Sequence, residues 1–182
     1  MNGIDRYLQR KRIAQALRWI ASGEHVLDVG CADGALFRQG SSLIESGVGI
    51  DTDQPLAWPA GPFEFRHGTF PEELHDGEKF DTVFMLAVVE HLSTDDRKTW
   101  ATSVPEVLAP CGRLIITVPS AMVDRILDIG IRFGLLHGMD TEQHHGMDPK
   151  VIPGEFAVSR MRLLEASRFE LGLNHLLVFE TV

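Results

Sequence analysis

The chain has 182 residues, 44% of them hydrophobic and 24% charged, which is enough for one domain with a full apolar core. Its formal charge is −9, from 17 Lys and Arg against 26 Asp and Glu, spread along the chain rather than gathered in a tail. That balance argues against a general affinity for nucleic acid or an anionic membrane, because phosphate binding needs a dense basic footprint. The one basic run, Arg10-Lys11-Arg12, is short and reads as a solvated helix face. Cys31 and Cys111 have neither metal-ligand spacing nor partners for a disulfide framework, which suits a reducing compartment. No segment resembles a signal peptide or approaches the ~20 apolar residues needed to span a bilayer. A single cytoplasmic domain without integral membrane association is expected.

Residues 4–21 read as an amphipathic helix, with Ile4, Tyr7, Leu8, Ile13, Leu17 and Ile20 near helical spacing, stopped by Ser22-Gly23. The run Val26-Leu27-Asp28-Val29 is too short for a helix and reads as a buried strand ending at Gly30. A helix is expected over 34–46, then a strand over 47–51 that ends in Asp51. Pro55, Pro59, Gly61 and Pro62 make 52–62 a loop or broken helix. Short strand 63–66 and strong strand 80–86 follow. Ser93-Thr94-Asp95-Asp96 offers capping groups for a helix toward Leu108, kinked at Pro105. Residues 109–112 turn the chain into a β-branched strand, 113–118. Ser120 then caps a second amphipathic helix, polar at Asp124, Arg125, Asp128 and Arg132 and apolar at Met122, Val123, Ile126 and Phe133. Residues 135–155 show no periodicity and read as a functional loop. A last helix at 157–166 precedes a hairpin of 169–173 and 176–181 around Asn174-His175. Alternating strands and helices imply a doubly wound, mostly parallel α/β sheet, closed here by an antiparallel C-terminal hairpin.

The chemistry begins at Val26-Leu27-Asp28-Val29-Gly30-Cys31-Ala32-Asp33-Gly34, a buried strand running through a glycine turn into a helix. Ligands of open α/β sheets bind at such strand ends, where the strand order switches. The G-x-x-x-G spacing differs from the G-x-G-x-x-G of dinucleotide folds. Asp51 ends the next strand, 17 positions after Gly34, where an acid can accept both ribose hydroxyls of an adenosine.

Two further blocks, Phe80-Asp81-Thr82-Val83-Phe84-Met85-Leu86-Ala87-Val88-Val89-Glu90-His91-Leu92 and Leu108-Ala109-Pro110-Cys111-Gly112-Arg113-Leu114-Ile115-Ile116-Thr117-Val118-Pro119, complete an ordered set over residues 25–119. The set resembles the class I S-adenosylmethionine-dependent methyltransferases of the small type 11 and type 12 groups. Met161-Arg162-Leu163-Leu164-Glu165-Ala166 and Phe169-Glu170 are similar to that family's last helix and strand. The resemblance implies a Rossmann-like methyltransferase fold. It implies that Asp28, Gly30, Cys31, Ala32 and Gly34 line the methionine half of S-adenosylmethionine. Asp51 would hold the ribose, flanked by Thr52 or Asp53. Gly68, Thr69 and Phe70 would meet the adenine, and Leu86 and Ala87 would lie near the sulfonium. The product would be S-adenosylhomocysteine and the partner a small-molecule acceptor, such as a hydroxyl of a sugar, lipid-linked compound or secondary metabolite. Two family glycines are replaced here, by Ala32 and Cys111. An alanine at 32 is tolerable if its φ stays negative.

Catalytic residues are few in such a reaction, because alignment supplies most of the rate. Three histidines are candidates for a base or an acceptor anchor: His91, past the strand at 80–86, and His144 and His145 in the long loop. Residues 120–155 are expected to form an acceptor-site lid. Glu142, His144, His145 and Asp148 could hold a metal by residue type, but adjacent histidines converge poorly on one ion, so no metal is expected. Pro110-Cys111 sits in the wrong context for cytosine methylation, and Tyr7, the sole tyrosine, excludes a tyrosine–lysine oxidoreductase pair. A non-catalytic S-adenosyl-binding or interaction module is the alternative, since fold does not fix function. Oligomeric state is not legible.

Overall fold

The computed structural model describes residues 3–55, 57–120, 149–157 and 160–182. Its elements are α1 (Gly3–Ala16), β1 (Glu24–Val29), α2 (Ala35–Gly40), β2 (Ile44–Asp51), β3 (Phe63–His67), β4 (Phe80–Leu86), α3 (Thr94–Val107), β5 (Leu108–Pro119), α4 (Ile152–Phe156), β6 (Met161–Phe169) and β7 (Asn174–Thr181). The strands form one seven-stranded sheet in the order β3-β2-β1-β4-β5-β7-β6. Neighbours from β3 to β5 pair parallel, and β7 pairs antiparallel with both β5 and β6. The chain runs outward from β1 to β3, then restarts at β4 on the other side of β1. The switch in strand order therefore lies between β1 and β4.

The apolar runs become strands because both faces of the sheet are covered. Val26, Phe84, Ile115 and Val178 face α1 and α2, where they pack with Ile13, Ala16, Leu36 and Phe37. Leu27, Val83, Met85, Leu114, Ile116 and Phe179 face the opposite side and pack with Trp100, Ala101, Val104, Ile152 and Phe156. Each fully buried large side chain contributes ~1.5–3 kcal/mol of transfer free energy. Ser93 caps α3 as expected: its Oγ accepts from the Asp96 amide at 3.1 Å. Pro105 lies inside the last turn, and α3 stops two residues later.

Two expected helices are corrected. The helix expected over 34–46 is only six residues long, and 44–46 belong to β2, paired with β1 through Glu24↔Ile44 and His25↔Ser46. Gly40, the last residue of α2, packs where a Cβ would meet Ile44 Cδ1 at 2.7 Å and Leu17 Cδ2 at 3.0 Å, so the position has no room for a side chain. The helix expected at 157–166 is largely β6, an edge strand whose residues are alternately more and less exposed. The hairpin exists, but its strands are 161–169 and 174–181, and its turn is Glu170–Gly172 rather than Asn174-His175. Residues 149–155, expected as loop, form a 3-10 turn and most of α4. The turn expected at 109–112 is an irregular start of β5, with Cys111 at φ +60°. The amphipathic helix expected after Ser120, most of the long loop, and the expected lid and metal-capable cluster lie outside the described residues.

Candidate functional site

The β1–α2 loop begins as β1 reaches the carboxyl edge of the sheet. The amides of Gly30 and Cys31 both donate to Ile50 O, at 2.8 and 3.2 Å, which ties the loop to β2. Gly30 and Gly34 take φ +74° and +73°, in the left-handed region open to glycine. Gly30 is also sterically obligatory, since a Cβ would lie 2.3 Å from Val88 Cγ2 in the loop after β4. Gly34 leaves room for Trp58 and Pro59, which a Cβ would approach within 2.9 and 2.7 Å.

Ala32 sits between these glycines at φ +45°, so the expected negative φ is not what the chain adopts. A left-handed alanine costs ~1–2 kcal/mol. The cost is offset by Asp51, whose Oδ2 accepts the Ala32 amide at 2.8 Å. The other carboxylate oxygen of Asp51 accepts the Asp53 amide at 2.9 Å, and its main-chain carbonyl accepts the Gly68 amide at 2.9 Å. Three segments marked in the sequence, the glycine loop, the turn at Thr52-Asp53 and the start of the Gly68 loop, therefore converge on one residue. Asp51 is half-buried and each of its oxygens keeps a second lone pair.

Asp28 points to the α1 side of the sheet, directly below this loop, and is only 4% exposed. Burial first, then the charges of Asp51 and Asp33, push its carboxyl well above the usual carboxylate range. Asp33 is held by Arg38, while no described salt bridge neutralises Asp28. Acidic groups around a glycine turn fit a ligand that carries ammonium and sulfonium charge. The Cys31 thiol is buried near Gly49 and Trp58, and burial with Asp28 and Asp51 pushes it up, so it is an unreactive packing group.

The other candidates divide. Thr52 and Thr69 are exposed, and Thr69 Oγ1 donates to Glu72 at 2.9 Å. The Phe70 ring is 1% exposed and meets Trp100 edge-on at 5.3 Å, so it belongs to the core and only its backbone can reach a ligand. Leu86, the last residue of β4, and Ala87 just past it are half-buried. Ala87 takes φ +60° and donates to Thr117 O at 2.8 Å. His91 is exposed in the next turn, its amide bonded to Val88 O at 3.0 Å, on the loop that abuts Gly30. His144 and His145 lie outside the described residues.

Sequence reading missed Trp58. Its indole donates to Phe63 O at 2.8 Å, and its ring packs on Phe37 and Phe65 beneath the glycine loop. A tryptophan inside a Pro- and Gly-rich stretch was the available signal. It also missed Gln9 of α1, whose amide reaches Asp33 at 3.4 Å and brings α1 to the rim of the site. An open cleft between the β3–β4 connection and the end of α3, lined by Pro71, His75, Thr102 and Glu106, lies at the opposite edge of the sheet.

A family model described as a methyltransferase domain matches residues 1–155. The chain is 32% identical over 112 residues to the ubiquinone biosynthesis O-methyltransferase of Azorhizobium caulinodans, covering 57% of this chain and 43% of that protein. It thus spans less than half the length of that relative. Its fold is similar to that of the N-methyltransferase NodS from Bradyrhizobium japonicum in complex with S-adenosylhomocysteine, with TM-score 0.66 and 16% identity over 99% of this chain and 88% of that one. It is also similar to the 1,6-didemethyltoxoflavin-N1-methyltransferase of Burkholderia thailandensis, with TM-score 0.71 and 15% identity over 99% of this chain and 82% of that one. The chain belongs to the methyltransferase-domain family, as a class I S-adenosylmethionine-dependent member on a Rossmann-like sheet.

Proposed function

We propose that this chain transfers a methyl group from S-adenosylmethionine to a hydroxyl of a small-molecule acceptor. The observation that carries the reading is the convergence on Asp51 of the glycine loop, the β2 turn and the Gly68 loop at the switch in strand order. The O-methyltransferase name of the Azorhizobium relative supports a hydroxyl acceptor.

Asp51 would accept the ribose hydroxyls with its free lone pairs, and the loop at 30–34 would hold the methionine end above the Asp28 carboxyl. The bound cofactor supplies a methyl already activated by its sulfonium. The residues then have to align the acceptor and exclude water, which can contribute ~7–11 kcal/mol. Leu86, Ala87 and Val88 would wall the reacting centre. His91 would take the acceptor proton, on an imidazole nitrogen, if the hydroxyl must ionise; its position on the loop that abuts Gly30 supports this role.

The test uses methyl-labelled S-adenosylmethionine with phenolic, sugar and amine acceptors, scoring label transfer and S-adenosylhomocysteine formation. Transfer to a hydroxyl supports the reading. Transfer only to amines would replace the acceptor class, and tight S-adenosylhomocysteine binding without any transfer would favour a binding module. If His91→Ala and a His144→Ala, His145→Ala pair both leave turnover on a true substrate intact, both histidine assignments are wrong.

A further inference from the structure

The net charge of −9 conceals a segregation. Residues 1–20 hold five of the 17 basic residues, Arg6, Arg10, Lys11, Arg12 and Arg18, and one acid, Asp5. Their local charge is +4, so the other 162 residues carry −13. The helix α1 and the 3-10 turn that follows it, Leu17–Trp19, sort this charge by face. Ile13, Ala16 and Leu17 pack against the sheet, while Arg6, Tyr7, Arg10, Lys11, Ala14 and Arg18 are exposed. Those positions follow a helical stripe about 18 Å long, at 1.5 Å per residue. Arg6, Arg10 and Lys11 enter none of the described ion pairs. Tyr7 is 57% exposed, with Lys11 Nζ 5.5 Å from its ring centroid.

We infer that the exposed face of α1 is a docking surface for an anionic phospholipid bilayer. A straight basic stripe with no acid on it meets a flat anionic surface along its whole length. A groove of nucleic acid would bring the acidic body alongside. Tyrosine, apolar in body and polar at its tip, suits the head-group level. At physiological ionic strength charges beyond ~8 Å are largely screened, so acids on the far side of the body oppose docking weakly. The Gln9–Asp33 contact joins α1 to the glycine loop. The surface does not depend on the methyl-transfer reading.

Flotation of the full chain with phosphatidylcholine vesicles, with and without phosphatidylglycerol, tests the inference. Each basic residue near such a surface is worth about fivefold in partitioning. Arg10→Gln with Lys11→Gln should therefore weaken binding to anionic vesicles about 25-fold, and raising salt tenfold should abolish it. Circular dichroism and S-adenosylhomocysteine titration of the same variant should be unchanged, and Lys98→Gln on α3 should bind like the parent. A second pair, Arg6→Gln with Arg18→Gln, covers a failure of the first to fold. No binding to anionic vesicles at low salt, equal binding to neutral vesicles, undiminished binding by both double variants, or preference for duplex DNA at equal phosphate would each overturn the proposal.

Discussion

Ala32→Gly is expected to stabilise the protein, against the usual direction for a glycine substitution. Ala32 is held at φ +45° by the bond from its amide to Asp51 Oδ2. Left-handed alanine costs ~1–2 kcal/mol, and glycine would remove that cost while adding ~0.5–1 kcal/mol of unfolded-chain entropy. The net gain is ~0.5–1 kcal/mol, or a rise in Tm of roughly 1–4 °C for a chain of this size. The gain should depend on Asp51. In an Asp51→Ala background the loop can leave the left-handed region, so Ala32→Gly should give nothing or cost ~0.5–1 kcal/mol through chain entropy. A double-mutant cycle by urea unfolding should show a coupling of about 1 kcal/mol. A destabilising Ala32→Gly in the parent, or the same effect in both backgrounds, would refute the strained, Asp51-braced loop.

Arg66 is 8% exposed between Glu64 and Glu78, and its hydrogen bonds hold both carboxyls below their usual range. Glu64 is 56% exposed and adds little, so Arg66→Met should cost ~2–4 kcal/mol at neutral pH, mostly through Glu78. Depressed carboxyls stabilise above the unfolded pKa and lose that contribution as pH falls through the folded one. The difference between parent and Arg66→Met should therefore shrink below about pH 4, and a flat difference down to pH 3 would contradict the pairing. Asp28 has the opposite sign. Its raised pKa makes the parent lose stability as pH climbs above about 4, so Asp28→Asn should melt higher at neutral pH, with the gap closing near pH 4. The same variant should bind S-adenosylmethionine more weakly in calorimetry. His91→Ala, at an exposed position, should change stability by less than ~0.5 kcal/mol and lower turnover by ~10²–10⁴ if His91 is the base.

The central strands were legible because they are buried on both faces. Val26-Leu27-Asp28-Val29 and Phe80–Leu86 need no alternation, and their ends in Gly30 and Ala87 mark the carboxyl edge. Asp51 was legible as a ribose acid, but its second role was not. That the Asp51 carboxylate braces Ala32 is a contact across 19 residues, which spacing does not encode. The misread segments fail for local reasons. Residues 161–166, Met-Arg-Leu-Leu-Glu-Ala, are strong helix formers, and only pairing with β7 makes them a strand. An edge strand with one covered neighbour also lacks the apolar run that betrays a central one. Residues 44–46 read as the tail of a helix because what makes them strand is pairing with β1, through Glu24↔Ile44 and His25↔Ser46, across about 20 residues of sequence.

The most direct measurement is calorimetric titration of the protein and of Asp51→Ala with S-adenosylmethionine, S-adenosylhomocysteine and NAD. Expected is micromolar binding of both S-adenosyl compounds by the parent, no binding of NAD, and a loss of about 100-fold or more in the variant, the weight of two charge-assisted hydrogen bonds. A well-folded parent that binds neither S-adenosyl compound, or an Asp51→Ala that binds them as tightly as the parent, would contradict the site.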